Sequence, residues 1–415
     1  MSAENDRLKA TGLALRLRQA REKLGLSQLE LSRKARVGKM TASDIEAGRR
    51  NQVNVGIGTV ERLASVLGVT GGWLAYGDEA VGDQRVKDWM APGFDPFKMV
   101  GDLSTMVNGS GGHIEQSYKY LDVMDAANWC AFTKHPRYAS YIESVPIREA
   151  AEAAIKHAEN KGIDIIGLGV GTGRHEARLI THLLDHAYFN LRLFLLDISQ
   201  PLLSIAAQQA GEVLADNRSI PICTIHGNFH QLASYADIFS SQSPRAKLIC
   251  MFGFTFGNLD NEIRFIRNSL TMCQPDDLLL MEIGLAYARA DHPEEIRQKD
   301  PSFAGNLPGD FMRKQEEFNV GPIRRYTQGL REVEFVRALD TASCVIPGSY
   351  AQDIEAHIKL SGSGFKKFSL AYIKRYDDKQ LAQRMAQEGW QMVEGWRYGD
   401  GHLMLCLFRR TPKAG

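Results

Sequence analysis

The chain has 415 residues, 44% of them apolar and 24% charged, and a net charge of +1, the profile of an ordinary globular protein of two or three domains. No apolar run approaches the length of a membrane span and the first residues lack the apolar core of a signal peptide, so a membrane partner is not expected and a cytoplasmic location is. Six cysteines stand singly, with no Cys-x-x-Cys pair, which argues against a disulfide framework and a zinc ribbon.

Residues 1–80 hold 13 Lys/Arg against 9 Asp/Glu, so the positive surplus sits at this end of the chain. Periodicity predicts a helix from Leu13 to Leu24 stopped by Gly25, and a second from the N-cap Ser27, with Glu30 at the capping-box position, to Arg36. A tight turn at Val37-Gly38 leads to a third helix, Lys39 to Ala47, ended by Gly48. A fourth runs from Thr59 to Leu67, and residues 72–77 close the unit. The set Gly25-Leu26-Ser27-Gln28, Glu30-Leu31-Ser32, Ile45-Glu46-x-Gly48 and Leu63-Ala64 resembles the Cro/C1-type (XRE) helix-turn-helix domain. The resemblance implies DNA as a partner and a homodimer, with the third helix in the major groove. Lys39, Met40, Thr41, Ser43 and Asp44 would then meet base edges, and Gln28, Lys39, Arg49 and Arg50 phosphates. Gly38 stands where a serine or threonine cap is usual, and Asp44 where a basic residue would face DNA. A helical module kept for dimerisation or protein contact is the alternative.

Residues 81–113 read as a linker, broken by Pro92, Gly93, Pro96 and the Asn108–Gly112 cluster and ordered in part around Trp89, Phe94 and Phe97. Helices follow from 114 to 160, with Arg148 to His157 alanine-rich. From Ile163 strands and helices alternate: strands at 163–167, 192–196, 222–226, 247–252 and 277–283, helices at 174–186, 201–214 and 261–272. This predicts an α/β, doubly wound, Rossmann-like domain over 114–415 with ligands at the carboxyl ends of its strands. The tail, 333–410, adds antiparallel strands at 353–360, 366–374 and 402–409 around a helix from Asp378 to Glu388. Tyr118, Tyr120 and Trp129 are candidates equally for core aromatics and for substrate contacts, and Arg324 with Arg325 reads as a solvated face.

The strand ends carry the chemistry. The first strand runs into Gly167-Leu-Gly169-Val-Gly171-Thr172-Gly173 with Arg174 opening a helix, a turn in which backbone can approach a nucleotide-type cofactor. The second strand ends at Asp197-Ile198, where an acid can accept both hydroxyls of a ribose, an arrangement a dinucleotide oxidoreductase would share. The third leads to Gly227-Asn228-Phe229, an amide and a ring suited to adenine. The fourth leads to Phe252-Gly253-Phe254-Thr255-Phe256-Gly257-Asn258-Leu259, a loop opening onto the reactive end. No third ligand accompanies the pairs His182/His186 and His226/His230, and no metal is expected.

These last two strand ends resemble class I S-adenosylmethionine-dependent methyltransferases. More specifically, residues 116–410 resemble the histidine Nα-methyltransferase of ergothioneine biosynthesis, through Gly169-x-Gly171-Thr172 with Arg174, Asp197-Ile198-Ser199, Gly227-Asn228-Phe229, Phe252-Gly253-x-Thr255-x-Gly257-Asn258-Leu259 and Pro136-Arg137-Tyr138. The resemblance implies that Gly169 and Gly171 pass the methionine part of the cofactor, that Asp197 holds ribose, that Asn228 and Phe229 hold adenine, and that Asn258 with Tyr138 holds the amine receiving the methyl group. Gly167 stands where the family has an acid. One amine-binding tyrosine falls at Leu121, beside Tyr120. The family's Glu and Ser that read imidazole fall at Ala371 and Ile373, which implies a more apolar pocket and an amine other than histidine. The expectation is therefore a DNA-binding domain joined to an S-adenosylmethionine-dependent N-methyltransferase of a small, amino-acid-like amine. The alternative is a regulator that senses the cofactor or its product without turnover. The fourth strand lacks the Asn-Pro-Pro-Tyr loop of base methyltransferases.

Overall fold

The computed structural model describes residues 13–412 except 48, 50–54, 56, 68–73, 75–85, 92, 159–160, 189, 216, 218–219, 241–244, 306 and 362–364. The chain divides into two compact units, Met1–Val86 and Lys87–Gly415.

The first unit contains α1 (Leu13–Lys23), α2 (Gln28–Lys34), α3 (Thr41–Glu46) and α4 (Ile57–Leu67). The capping box at the start of α2 is present in both directions: Glu30 N donates to Ser27 Oγ at 3.2 Å and Ser27 N to Glu30 Oε2 at 2.8 Å. The left-handed residue of the following turn is Arg36, at φ 52°. α3 starts two residues later than Lys39, with Met40 as an N-cap that makes no side-chain bond. Leu17, Leu31, Ile45 and Leu63 are fully buried together. Arg21 reaches from α1 to Glu46 of α3 at 2.6 Å, and Gln28 donates to the same carboxylate at 2.7 Å. Gly48, Arg50 and most of 72–77 lie outside the described residues.

The second unit is built on a twelve-stranded sheet. Its parallel half is formed by β3 (Gly162–Leu168), β4 (Leu191–Asp197), β5 (Ile222–His226), β6 (Arg245–Met251) and β7 (Leu278–Leu285), in the order β5-β4-β3-β6-β7. Every residue of β3, β5 and β7 is buried, because helices cover both faces of a parallel sheet. The strand order reverses between β3 and β6, and such a switch point opens a crevice at the carboxyl ends.

The helices of this half are α6 (Val123–Thr133), α7 (Pro136–Ser144), α8 (Ile147–Ala158), α9 (Arg174–Asp185), α10 (Gln200–Val213) and α11 (Glu262–Ser269). The stretch read as a linker differs from that expectation. From Val86 it supplies β1 (Val86–Met90), which pairs with β5, then α5 (Pro96–Asn108) and the short β2 (Gly112–His113). Asp95 caps α5 by accepting from the N–H groups of Phe97 and Lys98, so Pro96 begins a helix where it looked like a breaker. Leu103 and Val107 of α5 are buried in a core shared with Ile323 and Ile358.

Beyond β7 come α12 (Pro293–Lys299), α13 (Gly309–Tyr326), β8 (Leu330–Asp340), β9 (Tyr350–Leu360), β10 (Phe365–Tyr376), α14 (Asp378–Gln387), β11 (Trp390–Tyr398) and β12 (Leu403–Arg410). β8, β9 and β10 form an antiparallel platform, and β12 pairs antiparallel with β7. Two strands of this tail that no period marks, β8 and β11, are half exposed along most of their length. Arg324 and Arg325 are both exposed, and Arg325 in addition ties α13 to Asp122 and Asp125 at the start of α6. Among the described residues no helix is long and apolar enough to cross a membrane.

Candidate functional site

One cavity of about 1440 Å³ opens at the switch point, lined from the ends of β3, β4, β5 and β6 and from the platform. That volume exceeds what one drug-sized ligand occupies, so a cofactor and an acceptor fit together. Gly169, Gly171, Thr172, Arg174, Asp197, Ile198, Asn228, Phe229, Phe252, Gly253, Asn258, Tyr138, Tyr120, Ala371 and Ile373 all line it.

Two residues expected there do not. Leu121 is the cap of the 3₁₀ turn Gln116–Tyr120 and lies off the wall. Tyr120, one residue earlier, faces the cavity with its ring 5.7 Å from that of Trp129. Gly167 is also absent from the wall. A Cβ there would stand 2.5 Å from Val170 and 3.0 Å from Glu176 Oε1, so the space an acid at 167 would use is filled by Glu176 of α9. Glu176 is 2% exposed and does line the cavity. Burial pushes its carboxyl up to about 8.

The glycine turn is shaped by close approach. Gly169 and Gly171 have φ of 65° and 54°, and a Cβ on Gly171 would lie 3.1 Å from Trp129 Nε1, so a side chain here would be strained and crowded. Gly169 N donates to Leu196 O at 2.8 Å, which draws the turn over β4. Asp197 accepts Gly171 N at 2.8 Å on one oxygen and Ser199 N at 2.9 Å on the other. Burial nevertheless raises its carboxyl to about 6, the backbone donors offsetting part of that rise. At the end of β5, Asn228 accepts His230 N at 2.9 Å and Phe229 packs edge-on against Phe265.

The loop after β6 is braced from two sides. Gly253 N donates to Glu282 Oε2 at 2.7 Å, and Glu282 also accepts the hydroxyls of Tyr141 and Tyr398. From β10, fully buried Lys374 donates to Leu259 O at 2.6 Å and to Glu262 at 2.9 Å, while Tyr376 donates to Glu262 at 2.7 Å. Asn258 therefore stands between two fixed anchors. Phe254 takes φ 63°, a left-handed conformation that costs a non-glycine residue energy. Tyr141 stacks on its ring at 5.3 Å. Tyr138 approaches the same loop, its hydroxyl 3.7 Å from where a Cβ of Gly253 would be. Burial holds that hydroxyl well above its ordinary pKa, with the Glu282 charge adding and Arg174 opposing.

Sequence reading missed Glu176, Glu282, Lys119 and Gln352. Glu176 could have been found, since it follows Arg174 in the first turn of the helix after the glycines. Lys119 and Gln352 carry no motif that marks them.

In the helical unit, Lys39 and Met40 are exposed and Ser43 is half-buried. Thr41 is not available as expected: it is 4% exposed, packed into the unit at the start of α3. Arg49 pairs with Asp44 at 3.1 Å and approaches Ser43 at 3.4 Å, so the acid of α3 is answered within the chain.

Residues 17–74 match the helix-turn-helix family model, and residues 109–292 match the model described as histidine-specific methyltransferase, SAM-dependent. No curated protein matches the chain. Solved structures similar to it include the CcbJ methyltransferase from Streptomyces caelestis, 15% identical over 64% of this chain and 90% of that one, with a TM-score of 0.33. The 1,6-didemethyltoxoflavin-N1-methyltransferase of Burkholderia thailandensis is 11% identical over 72% and 92%, with a TM-score of 0.36. Magnesium protoporphyrin IX methyltransferase from Synechocystis is 10% identical over 70% and 97%, with a TM-score of 0.38. The chain thus joins a helix-turn-helix domain to an S-adenosylmethionine-dependent methyltransferase domain.

Proposed function

We propose that the second unit transfers a methyl group from S-adenosylmethionine to the nitrogen of a small amine other than histidine, and that the first unit binds DNA as part of a homodimer. The observation that carries the enzymatic reading is Asn258, held at the cavity wall between the Lys374 and Glu282 anchors and beside Tyr138.

The residues present fit the cofactor. Asp197 keeps acceptor capacity on both oxygens after taking one backbone N–H on each, which suits the two ribose hydroxyls. The Asn228 amide oxygen caps the next turn, leaving its N–H donors for an adenine edge beside Phe229. Arg174 and Glu176 offer a guanidinium and a carboxylate, the pair that an α-amino acid end requires. Glu176 on α9 takes the part that an acid at position 167 would otherwise play. When bound, the cofactor supplies a methyl group on a sulfonium sulfur.

What the chain must add is an unprotonated amine held in line with that methyl group. The Asn258 carbonyl accepts an amine N–H and fixes the direction of the nitrogen lone pair. The Tyr138 hydroxyl, a neutral phenol whose ionisation burial makes harder still, makes a second contact without acting as a base. Trp129, Tyr120 and Phe318 pack together over the glycine turn, with Trp129 and Phe318 centroids 5.0 Å apart, and exclude water. Ala371 and Ile373 offer an imidazole no polar group at those two positions, which supports an amine other than histidine.

In the first unit, exposed Lys39 and Met40 at the start of α3 are the base-reading candidates, with Ser43 behind them. A second reading, a sensor that binds the cofactor without turnover, is favoured by the fusion itself. Incubation with S-adenosylmethionine and a pool of amines separates the two: methylated product from the wild type and none from Asn258→Ala supports the enzyme, whereas tight cofactor binding with no product supports the sensor.

A further inference from the structure

The cavity is lined in part by the antiparallel platform, where its wall is less apolar than Ala371 and Ile373 alone imply. Lys119 is 3% exposed, and its ammonium donates to Asn319 Oδ1 at 2.8 Å and lies 5.2 Å from the Phe318 ring centre. Among the described residues no carboxylate pairs with this ammonium, and burial alone pulls it down to about 7. The acids at the Asn258 loop are already engaged, Asp260 with His113 at 2.9 Å, Glu262 with Lys374, and Glu282 with Gly253 N and the Tyr141 and Tyr398 hydroxyls.

Asn319 in turn donates to Gln315 O at 2.8 Å, and the Gln315 side chain accepts from Arg337 of β8. On β9, directly across from Ile373, Gln352 is 5% exposed, and its Nε2 has no partner among the described residues. Lys119, Asn319, Gln315 and Gln352 line the same cavity.

A buried ammonium without a counter-charge and a buried amide without an acceptor each cost free energy. A single event relieves both, the arrival of an anionic oxygen pair. We propose that the methyl acceptor is an amine bearing a carboxylate remote from the nitrogen that is methylated, which Lys119 and Gln352 hold in this far lobe while Asn258 holds the amine. The inference rests on the methyltransferase reading for the identity of the other end of the ligand. One ammonium and one amide donor match a monoanion with two oxygens. The cofactor's own carboxylate has Arg174, which opens the helix after the glycine turn, as its proposed partner.

The test uses the full chain saturated with S-adenosylhomocysteine. Calorimetry compares γ-aminobutyrate with 4-aminobutanamide and L-glutamate with L-glutamine, and release of S-adenosylhomocysteine from S-adenosylmethionine follows turnover on the same probes. The acid of at least one pair should bind about tenfold or more tighter than its amide, the loss of one charge-assisted contact. Lys119→Met should erase that preference, leave S-adenosylmethionine affinity within about twofold, and melt no lower than wild type because an unpaired buried charge is gone. Gln352→Leu should weaken the acid alone, by about threefold. Equal binding of acid and amide, or binding of neither, overturns the inference, as does a loss of cofactor affinity in Lys119→Met. An acid that binds through Lys119 but is never methylated upholds the carboxylate lobe and refutes the methyltransferase reading.

Discussion

Replacing Asp197 with asparagine keeps the volume of the side chain and removes its charge. The two oxygens of Asp197 each accept one backbone N–H, from Gly171 and Ser199. An amide in the same place retains a single acceptor and turns an NH₂ toward one of those donors. One charge-assisted contact to ribose is lost and the other is displaced. At ~1.5–3 kcal/mol for a hydrogen bond to a charged group, S-adenosylmethionine should bind about 100-fold more weakly.

The pH dependence gives an independent check. Burial raises the Asp197 carboxyl to about 6, and the ionised form is the one that accepts both hydroxyls. Wild-type affinity should therefore strengthen as pH rises from about 5 to 6.5, before the further gain as Glu176 ionises near 8, while Asp197→Asn shows no step in the lower window. Glu176, pushed to about 8, titrates above it. Stability of the ligand-free protein runs the other way. The folded pKa lies above the ordinary carboxylate value, so the unfolded chain binds fewer protons, and this contribution is lost as pH rises from about 4 to 6. Calorimetric titration of both proteins at pH 5.0, 6.0 and 7.5 reads the affinity, and thermal unfolding reads the stability. An asparagine variant that binds within about twofold of wild type, or keeps the step near pH 6, would refute the ribose assignment.

Glu176→Gln should weaken S-adenosylmethionine by about tenfold with the fold intact, since the carboxylate partner of the cofactor's ammonium is lost; unchanged calorimetric affinity would remove Glu176 from the site. Asn258→Ala should lower turnover by about 100-fold or more while cofactor affinity stays within about threefold, and a parallel loss of both in steady-state kinetics and calorimetry would mean that the loop, not the amine contact, had been damaged. Glu262→Gln leaves fully buried Lys374 without its counter-charge and should cost about 3–5 kcal/mol in chemical denaturation, a loss under 1 kcal/mol being inconsistent with the bracing role. Lys39→Ala should weaken binding to a promoter fragment and lower the salt slope by about one, whereas Thr41→Ser, at a packed position, should leave base preference unchanged in a binding-site selection.

The parallel half of the second unit was legible because its strands are almost wholly buried, and β3, β5 and β6 run into glycine-containing turns. β3, β4 and β5 begin and end within one residue of their predicted spans. Their carboxyl ends do line one cavity, as a doubly wound sheet requires. What the pattern hid has local causes. Pro92, Gly93 and Pro96 look like breakers, yet Pro96 occupies the first turn of a helix capped by Asp95, where a missing N–H costs nothing. β8 and β11 alternate poorly because both faces are partly wet, so no period marks them.

Site residues were legible where a motif pins the register and obscure where none does. Tyr120 and Leu121 differ by one position on a 3₁₀ turn, and only the three-dimensional path decides which faces the cavity. A buried Glu176 lying beside Gly167 and facing the cavity is invisible to a motif read position by position. Lys119, flanked by two tyrosines, reads as a surface lysine, and its burial depends on contacts with α13 that lie 200 residues away in the chain.

The most direct measurement is transfer of an isotopically labelled methyl group from S-adenosylmethionine to a pool of primary and secondary amines, followed by mass spectrometry on the wild type and Asn258→Ala. A labelled N-methyl product that forms with the wild type and disappears with the variant is the predicted result. Saturable cofactor binding with no labelled amine, across a pool that includes carboxylate-bearing members, would contradict an N-methyltransferase and leave a cofactor-responsive DNA-binding protein.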